Sequence, residues 1–282
     1  MIRFPNAKIN LGLHVTARRE DGYHDLETVF YPIGLKDALE IIPTGDEQLK
    51  EAEKGFRLFL SGDTLQCDEA DNLVVRAWKL IAAEKQLPPL EIHLLKKIPH
   101  GAGLGGGSSD AAAMLQLLNN RFTLQYSDPE LAAFAARLGA DCAFFIHNRP
   151  ALATGIGDIL EPVALDLSHL TLVVVKPDIW VSTAEAYAMI TPHQPEESLR
   201  EIIKQPVSEW KERLKNDFEA PVFKKFPEIW QIKQQLYERG ALYASMSGSG
   251  SAVYGLFDET PNLKGCFDKH FVWISEKLNR KI

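Results

Sequence analysis

A glycine-rich stretch constrains this chain more than any other part of its sequence. The segment PHGAGLGGGSSDAAA (Pro99–Ala113) contains five glycines and two serines within Gly101–Ser109. Glycine at this density is unfavourable in conformational entropy, so the backbone itself must have a special task here. A strand-like run, EIHLLKKI (Glu91–Ile98), precedes the glycines, and an alanine-rich run follows them. The sequence therefore predicts a strand, a glycine turn and a helix in this order.

Such an arrangement favours the binding of an anion. Free backbone N–H groups and the positive end of the helix dipole converge at a helix start, where phosphate is a common ligand. We expect Ser108 or Ser109 to cap a helix running through AAAMLQLLNN, with hydroxyl groups that add donors or a position for a metal ion. A flexible surface turn is the alternative, but turns need one or two glycines, whereas this stretch has five. The stretch is therefore interpreted as a phosphate loop.

Better-known glycine motifs do not account for the stretch. The P-loop pattern fails because no lysine follows the glycines. The dinucleotide fingerprint is present literally as Gly101, Gly103 and Gly106, but the segment after the helix, NNRFTLQYSDPE, is no strand ending in a ribose-binding acid. The protein-kinase glycine loop lacks its H-R-D and D-F-G companions. An NAD-dependent oxidoreductase is therefore the weakest of the alternatives.

Composition excludes several classes of protein. The 282 residues, 45% hydrophobic and 24% charged, are typical of a globular chain with two domains or one large domain. A net charge of -7 argues against a nucleic-acid surface. Cys67, Cys142 and Cys266 are far apart and predict reduced thiols. Arg3 and Lys8 interrupt what would be the apolar core of a signal peptide, and no apolar run reaches membrane length. We expect a cytoplasmic location, with no membrane or nucleic-acid partner.

The order of the segments predicts an α+β protein. AKINLGLHVT (Ala7–Thr16) alternates between apolar and polar residues and predicts a half-buried strand, and the hairpin turn Asp21-Gly22 leads to a second strand in LETVFYPI. TLVVVKP predicts a buried strand, helical stretches follow to about Glu238, and two strands surround SMSGSGSAVYGLF. Because strands and helices do not alternate strictly, we expect two lobes with a boundary near residue 165.

Capping signals predict two further helix starts. Asp71 or Asn72 precedes a run with apolar residues at helical spacing. Ser127 and Glu130 form a capping box for PELAAFAARLGA, which Gly139 closes.

Lys8 and Asp141 are candidates for acid–base chemistry. Lys8 lies on the polar face of its strand, two residues and about 7 Å from Asn10, where an exposed lysine on an edge strand is the simpler interpretation. Asp141 follows Gly139 and precedes CAFFI, so its carboxylate stands at the unfavourable end of one helix and beside apolar residues. It is either a structural hydrogen-bond anchor or a working acid or base. A nearby lysine would stabilise its charge, and Lys8 is the candidate.

Two loop positions allow both a functional and a structural interpretation. Tyr23 and His24 follow the hairpin turn, where they could contact a planar ligand or belong to ordinary hairpin packing. SGSG (Ser247–Gly250) is either a plain hairpin turn or a second phosphate-facing loop.

Taken together, these segments resemble a known family. PHGAGLGGGSSDAA is similar to the second motif of the GHMP kinases. More narrowly, AKINLGLHVTARREDGYHDLETVF, IPHGAGLGGGSSDAAA, LGADCAFFI, GIGDILEPV and SMSGSGSAVYGLF resemble the successive signatures of the 4-diphosphocytidyl-2-C-methyl-D-erythritol kinases. The resemblance runs in order from residue 3 to about residue 257 and is thin between residues 180 and 240.

The resemblance implies a fold and a set of site residues. The fold would be a two-lobe α+β GHMP kinase with the active site in the cleft between the lobes, an ATP-binding N-terminal domain over residues 1–165 and a C-terminal domain over residues 166–282. Lys8 and Asp141 match the family's catalytic residues. Asn10, Tyr23 and His24 match positions that handle the substrate, with Tyr23 stacking on cytosine, His24 bonding its edge and Tyr187 as the second aromatic partner. The matched ATP loop comprises Pro99, His100, Gly101, Ala102, Gly103, Leu104, Gly105, Gly106, Gly107, Ser108 and Ser109.

The implied reaction is ATP-dependent phosphorylation of the 2-hydroxyl group of 4-diphosphocytidyl-2-C-methyl-D-erythritol, in the non-mevalonate route to isoprenoid precursors. Its partners would be small molecules, namely ATP and a polyol linked to cytidine diphosphate. Since the sequence offers no carboxylate cage, Mg²⁺ is expected to arrive with the nucleotide, and no metal ligand is assigned. The alternatives are another GHMP-type small-molecule kinase and a nucleotide-binding protein of the same fold without catalysis.

Overall fold

The computed structural model describes residues 1–45, 55–63 and 68–275. In chain order the strands are β1 (Ile2–Arg3), β2 (Asn6–Arg18), β3 (His24–Lys36), β4 (Ala38–Pro43), β5 (Phe56–Gly62), β6 (Leu90–Lys96), β7 (Ala151–Thr154), β8 (Ile159–Pro162), β9 (Thr171–Lys176), β10 (Tyr243–Met246), β11 (Val253–Phe257) and β12 (Phe271–Ile274). The helices are α1 (Leu73–Ala82), α2 (Gly106–Phe122), α3 (Asp128–Ala136), α4 (Cys142–His147), α5 (Thr183–Ala188), α6 (Leu199–Ile202), α7 (Glu219–Lys225) and α8 (Pro227–Glu238). This mixture confirms the α+β class.

The chain divides into two compact units that share its length unevenly. The first unit comprises the described residues of Met1–Ala7, Gly34–His100 and Gly105–Asn148. The second comprises those of Lys8–Ile33, Gly101–Leu104 and Arg149 onwards. The glycine-rich stretch therefore contributes to both units. Within the described residues, no helix has the length and apolar character needed to cross a membrane.

The first unit is a sheet with helices. Its strand order is β1-β4-β6-β5, with β5 parallel to β6 and the other pairs antiparallel. Helix α2 contacts β4 and packs against α1 and α4. The alanines at positions 111–113 are buried, and such small side chains allow neighbouring helices to approach closely. The predicted caps of α1 and α3 are confirmed, because Asn72 accepts a bond from Val74 N–H at 2.9 Å and Glu130 accepts one from Ser127 N–H at 2.8 Å.

The second unit contains two sheets. Their strand orders are β2-β3-β7-β8 and β10-β11-β9-β12, and β9 pairs antiparallel with both of its neighbours. The predicted strands in TLVVVKP and around the SGSG segment are present as β9, β10 and β11. A core of aliphatic and aromatic residues, including Val173, Phe218 and Leu236, packs α8 against β10 and β11.

The prediction that β2 is half-buried is wrong. All of its residues from Ala7 to Val15 are buried, including the polar residues Lys8, Asn10 and His14. Alternation of polar and apolar residues normally indicates one solvated face. Here the polar face is covered as well, so its polar groups require partners within the protein.

Candidate functional site

Lys8 is held inside the second unit by neutral oxygen atoms. Its side chain is only 3% exposed, so the alternative of an exposed edge-strand lysine is excluded. Nζ donates to Asn10 Oδ1 at 2.6 Å and to the carbonyl oxygen of Gly103 at 3.0 Å. The ammonium group also lies 5.0 Å from the centre of the Phe30 ring, within the range of a cation–π contact. These contacts fix the position of a buried positive charge beside the glycine loop.

Asn10 continues this network across the sheet. Its Nδ2 donates to Thr28 Oγ1 at 3.0 Å, and Thr28 in turn donates to the carbonyl oxygen of Gly12 at 2.6 Å. Because Lys8 occupies the other end of the amide, both ends of the Asn10 side chain are fixed. Thr28 is fully buried, and its part in the network is not evident from the sequence, since a lone threonine in a strand gives no functional signal.

The second-unit part of the glycine loop packs tightly against protein. Gly103 has a φ of +76°, and a Cβ there would lie 1.8 Å from the carbonyl oxygen of Ser247. Gly101 has a φ of +63°, and its Cβ would lie 2.3 Å from Trp180. Both glycines are therefore required by close packing and by left-handed backbone conformation. Trp180 was not recognised in the sequence.

The SGSG segment is a hairpin connection, as one of the two interpretations predicted, and a phosphate-facing role stays a prediction. It connects the antiparallel strands β10 and β11, and Ser247 Oγ donates to the carbonyl oxygen of Gly103 at 2.8 Å. The same hydroxyl group accepts the Asn10 N–H at 3.3 Å. The segment is thus a hairpin connection that also holds the glycine loop, and its dense glycine and serine content was the available signal.

Helix α2 begins earlier than the sequence predicted. Gly105, with a φ of +71°, occupies the N-cap position without a side-chain cap, and Ser108 and Ser109 lie inside the first turn. The expected serine cap is therefore wrong. A left-handed glycine allows the chain to enter the helix directly. The first helical bond joins Ser109 N–H to Gly105 O at 2.9 Å, so the N–H groups of Gly106, Gly107 and Ser108 belong to the first turn, which has no intrahelical acceptors.

Asp141 stands at a helix N-terminus. The apolar run CAFFI is part of helix α4, and Asp141 occupies its N-cap position without making a side-chain cap bond. The sequence suggested that Asp141 stands at the unfavourable C-terminal end of the preceding helix. It also stands at the N-terminus of α4, whose dipole favours a negative charge at this position.

The starts of α2 and α4 are neighbours within the first unit. A side-chain hydrogen bond joins Ser108 to Cys142, the residue after Asp141. Burial raises the pKa of the Cys142 thiol to about 11, the bond from Ser108 lowers it and the charge of Asp141 raises it. Ser108 and Asp141 thus act on the same thiol. The start of α2 and the candidate acid–base residue therefore lie close together.

A buried ionic cluster supports the start of α2. Lys96 Nζ donates to Asp110 Oδ2 at 2.6 Å and also to Asp37. Burial raises the pKa of Asp110 to about 7, against the lowering effect of the Lys96 charge. Burial alone would lower the pKa of Lys96, but the charges of Asp110 and Asp37 raise it above its ordinary value. The three residues are far apart in the sequence, so no local pattern indicates this cluster.

The second unit brings His24 into contact with Tyr187, two of the residues predicted to bind the base. His24 and Tyr187 stack with ring centres 5.0 Å apart and planes inclined by 25°. The ring centres of Tyr187 and Phe218 are 4.8 Å apart in an edge-to-face contact, which anchors Tyr187 to the core. Tyr23 is 62% exposed and can be approached by a ligand.

The predicted site residues fall into both units. Lys8, Asn10, Tyr23, His24, Tyr187 and Gly101–Leu104 belong to the second unit, whereas Pro99, His100, Gly105–Ser109 and Asp141 belong to the first. The structure joins Lys8, Asn10 and Gly103 by direct bonds, and it joins His24 to Tyr187. Their roles in a reaction stay predictions.

Family models match two parts of the chain. Residues 72–149 match the model described as "GHMP kinases N terminal domain", and residues 198–268 match "GHMP kinases C terminal". The predicted domain boundary at residue 165 falls between the two matches and stays a prediction.

Relatives extend the similarity to nearly the whole chain. A 4-diphosphocytidyl-2-C-methyl-D-erythritol kinase from Bacteroides thetaiotaomicron is 57% identical over 258 residues, 92% of each chain. The kinase of this name from Parabacteroides distasonis is 52% identical over 275 residues, 97% of this chain and 98% of its own. A crystal structure of 4-(cytidine 5'-diphospho)-2C-methyl-D-erythritol kinase superposes with a TM-score of 0.75 at 36% identity, covering 91% of this chain and 90% of that chain. These matches confirm the resemblance found in the sequence, and the chain belongs to the 4-diphosphocytidyl-2-C-methyl-D-erythritol kinase family of the GHMP kinases.

Proposed function

We propose that this chain transfers the γ-phosphoryl group of ATP to the 2-hydroxyl group of 4-diphosphocytidyl-2-C-methyl-D-erythritol, giving the 2-phosphate and ADP in the non-mevalonate route to isoprenoid precursors. Membership of the kinase family supports this reaction, and ATP is its co-substrate. Phosphoryl transfer depends mainly on positioning and on stabilisation of charge. The residues of this chain offer groups for both tasks.

The observation that carries the proposal is the contact between the starts of α2 and α4. The first-turn N–H groups at Gly106, Gly107 and Ser108 are suited to phosphate oxygens, and the helix dipole adds positive potential. The Ser108 side chain is hydrogen-bonded to Cys142, the residue that follows Asp141 in the sequence. A phosphate held at this helix start would therefore lie close to a carboxylate. This is the arrangement required for transfer to a hydroxyl group whose proton Asp141 accepts.

We assign charge stabilisation to Lys8. Its ammonium group carries a positive charge, is buried and donates hydrogen bonds to the oxygens of Asn10 and Gly103. In the proposed reaction this charge favours ionised Asp141 and stabilises the negative charge that grows on the attacking oxygen. The pairing of Lys8 with Asp141 rests on the family resemblance.

We assign recognition of cytosine to the aromatic residues of the second unit. The exposed ring of Tyr23 offers a stacking surface for a base, and the His24 ring offers hydrogen-bonding nitrogens. The stack of His24 on Tyr187 supports Tyr187 as the second aromatic residue of this subsite. Stacking is tolerant of the base, so the edge contact from His24 is needed for selectivity.

Mg²⁺ is proposed to accompany ATP. The hydroxyl group of Ser108 is an oxygen donor of the kind that Mg²⁺ accepts, and it lies in the first turn of α2. When bound, the ion would share the negative charge of the phosphates. A cytoplasmic location also stays a prediction, which rests on the wide spacing of the cysteines in the sequence.

A substrate panel tests the proposal. ADP release should be measured with 4-diphosphocytidyl-2-C-methyl-D-erythritol and with homoserine, mevalonate and galactose as acceptors. We expect turnover with the cytidine-linked polyol alone. Turnover only with another acceptor would favour a different GHMP-type kinase, and ATP binding without turnover on any acceptor would favour a non-catalytic nucleotide-binding protein.

A further inference from the structure

We propose that His14, His193 and Asp217 form a binding site for a divalent transition-metal ion, with Zn²⁺ as the ion that best matches their ligand atoms. One ligand atom of each residue lies within 4.8 Å of the ligand atoms of the other two. Two imidazoles and one carboxylate suit Zn²⁺, whereas Mg²⁺ prefers a set made of oxygen atoms. None of these three residues has a part in the phosphoryl transfer proposed above.

The distances are close to those of a zinc site. His14 Nδ1 lies 3.2 Å from Asp217 Oδ1, and His193 Nδ1 lies 3.7 Å from Asp217 Oδ2. Ligand atoms bound tetrahedrally at about 2.0–2.1 Å from zinc are roughly 3.3 Å apart. The two imidazole rings meet edge to face, with planes inclined by 77°. Small side-chain movements would therefore bring both nitrogens and the carboxylate onto one ion.

The backbone holds the three ligands at one place on β2. Asp217 donates its N–H to the carbonyl oxygen of Leu13 at 2.9 Å, and His193 donates its N–H to that of Val15 at 3.0 Å. These bonds lie on either side of His14 in the sequence. The segments that carry the ligands are thus tied to the same strand, which lowers the entropy lost when a metal ion binds.

The surroundings also suit a metal ion. The N–H of Val15 donates to Asp217 Oδ2 at 2.8 Å and orients the carboxylate, as outer-shell partners do in metal sites. The side chains of His14 and Asp217 are 8% and 11% exposed, whereas that of His193 is 56% exposed. A groove of about 540 Å³, lined in part by His193, Asp217 and Lys215, gives access from solvent. This opening leaves room for water as a fourth ligand.

The alternative is that Asp217 only accepts a hydrogen bond from His14 and lies near His193 without a metal ion. A metal ion would replace this bond and bring in a ligand geometry that can be detected by spectroscopy. The two interpretations therefore predict different results when the protein is titrated with metal.

Tag-free protein should be titrated with Zn²⁺ in competition with a chromogenic chelator, and with Co²⁺ while visible absorption is recorded. We expect saturation at a single ion per chain and the absorption bands of a low-symmetry, four-coordinate Co²⁺ site. Removing a ligand should weaken binding by at least about tenfold, the lower end of losses seen even for outer-shell changes.

The variants are chosen so that a loss of folding does not obscure the result. His193→Ala changes an exposed side chain and should lose the zinc affinity and the rise in melting temperature that zinc causes in the unmodified chain. Asp217→Asn keeps an oxygen for the Val15 N–H and should lose affinity too. His169→Ala, at an exposed histidine outside the cluster, is the matched control and should bind as before. Absence of saturable binding, equal binding by the ligand variants, or an equal loss in the control would overturn the proposal. Since ATP turnover is not a readout, its failure is separate from that of the proposed kinase function.

Discussion

Lys8 donates a hydrogen bond to the carbonyl oxygen of Gly103 at 3.0 Å, which ties the buried strand β2 directly to the glycine loop. The same carbonyl oxygen accepts the Ser247 hydroxyl at 2.8 Å. Gly103 is therefore fixed from two sides, and a Cβ at this position would collide with the Ser247 backbone. Gly101 and Gly103 are thus needed for close packing, whereas Gly107 is exposed at the start of α2.

A substitution at Gly107 tests phosphate binding without disturbing the packing of the loop. The residue is exposed in the first turn of α2, and an added Cβ would be at an ordinary 3.5 Å from Leu73. Gly107→Ala should therefore keep or raise stability by about 0.5–1 kcal/mol, the usual gain for alanine in a helix. The methyl group should crowd the bound phosphate and weaken the binding of a non-hydrolysable ATP analogue by about tenfold, or about 1.4 kcal/mol. Calorimetry and a thermal melt measure both effects, and unchanged affinity would contradict the phosphate-loop assignment.

Tyr23 allows a test of the base subsite without disturbing the fold, because its ring is largely exposed. Tyr23→Ala should weaken binding of the cytidine-linked substrate by about 1–3 kcal/mol, the scale of base–aromatic stacking. Tyr23→Phe keeps the ring and should bind almost normally. ATP affinity should be the same in both variants, and a loss of ATP binding in Tyr23→Ala would show that the two subsites are misassigned.

Asp141 can be tested as the proton acceptor by a change that preserves its shape. Asparagine keeps the shape of the aspartate side chain and its capacity to accept a hydrogen bond, so Asp141→Asn should leave the melting temperature close to that of the unmodified chain. Turnover should fall by about 10²–10⁴, the range for the loss of general acid–base catalysis, while both substrates still bind. If Asp141 is only a structural anchor, the melting temperature falls and the folded variant turns over normally.

Asp110 predicts a pH dependence of stability. Burial raises the pKa of its carboxyl group from 3.8 to about 7 in the folded chain, so folding takes up a proton between these values. This contribution is complete below the unfolded pKa and is lost as the pH rises through about 7. The free energy of unfolding should therefore fall with rising pH more steeply in the unmodified chain than in Asp110→Asn, which cannot titrate at this position. The difference should reach a few kcal/mol at most, since one pKa unit corresponds to about 1.4 kcal/mol. Denaturant unfolding between about pH 5 and about pH 8.5 measures it, and parallel curves would contradict the assignment.

Local signals in the sequence predict most of the candidate site, and these assignments stay predictions. The density of glycine in Gly101–Gly107 predicts the loop, and the order of motifs predicts Lys8 and Asp141. Tyr187 lies in the segment where the resemblance is thin, yet it is found against His24.

The remaining features depend on contacts that a local pattern does not contain. Burial of the polar face of β2 is decided by segments distant in the chain, as the bond from Lys8 to Gly103 illustrates. The start of α2 follows from the left-handed conformation of Gly105, which takes the place of a serine cap. The apolar run after Asp141 is too short for its periodicity to reveal helix α4. Cys67 lies outside the described residues.

The position of the transferred phosphoryl group tests the central claim most directly. The 2-hydroxyl group of 4-diphosphocytidyl-2-C-methyl-D-erythritol is on a tertiary carbon, which carries no hydrogen. After incubation with ATP, the new phosphomonoester should therefore give a phosphorus-31 resonance that is not split by a proton on the esterified carbon, together with an equal amount of ADP. A doublet or a triplet would place the phosphate on a secondary or a primary hydroxyl group. Either pattern, or the absence of a new phosphomonoester, would contradict the proposed function.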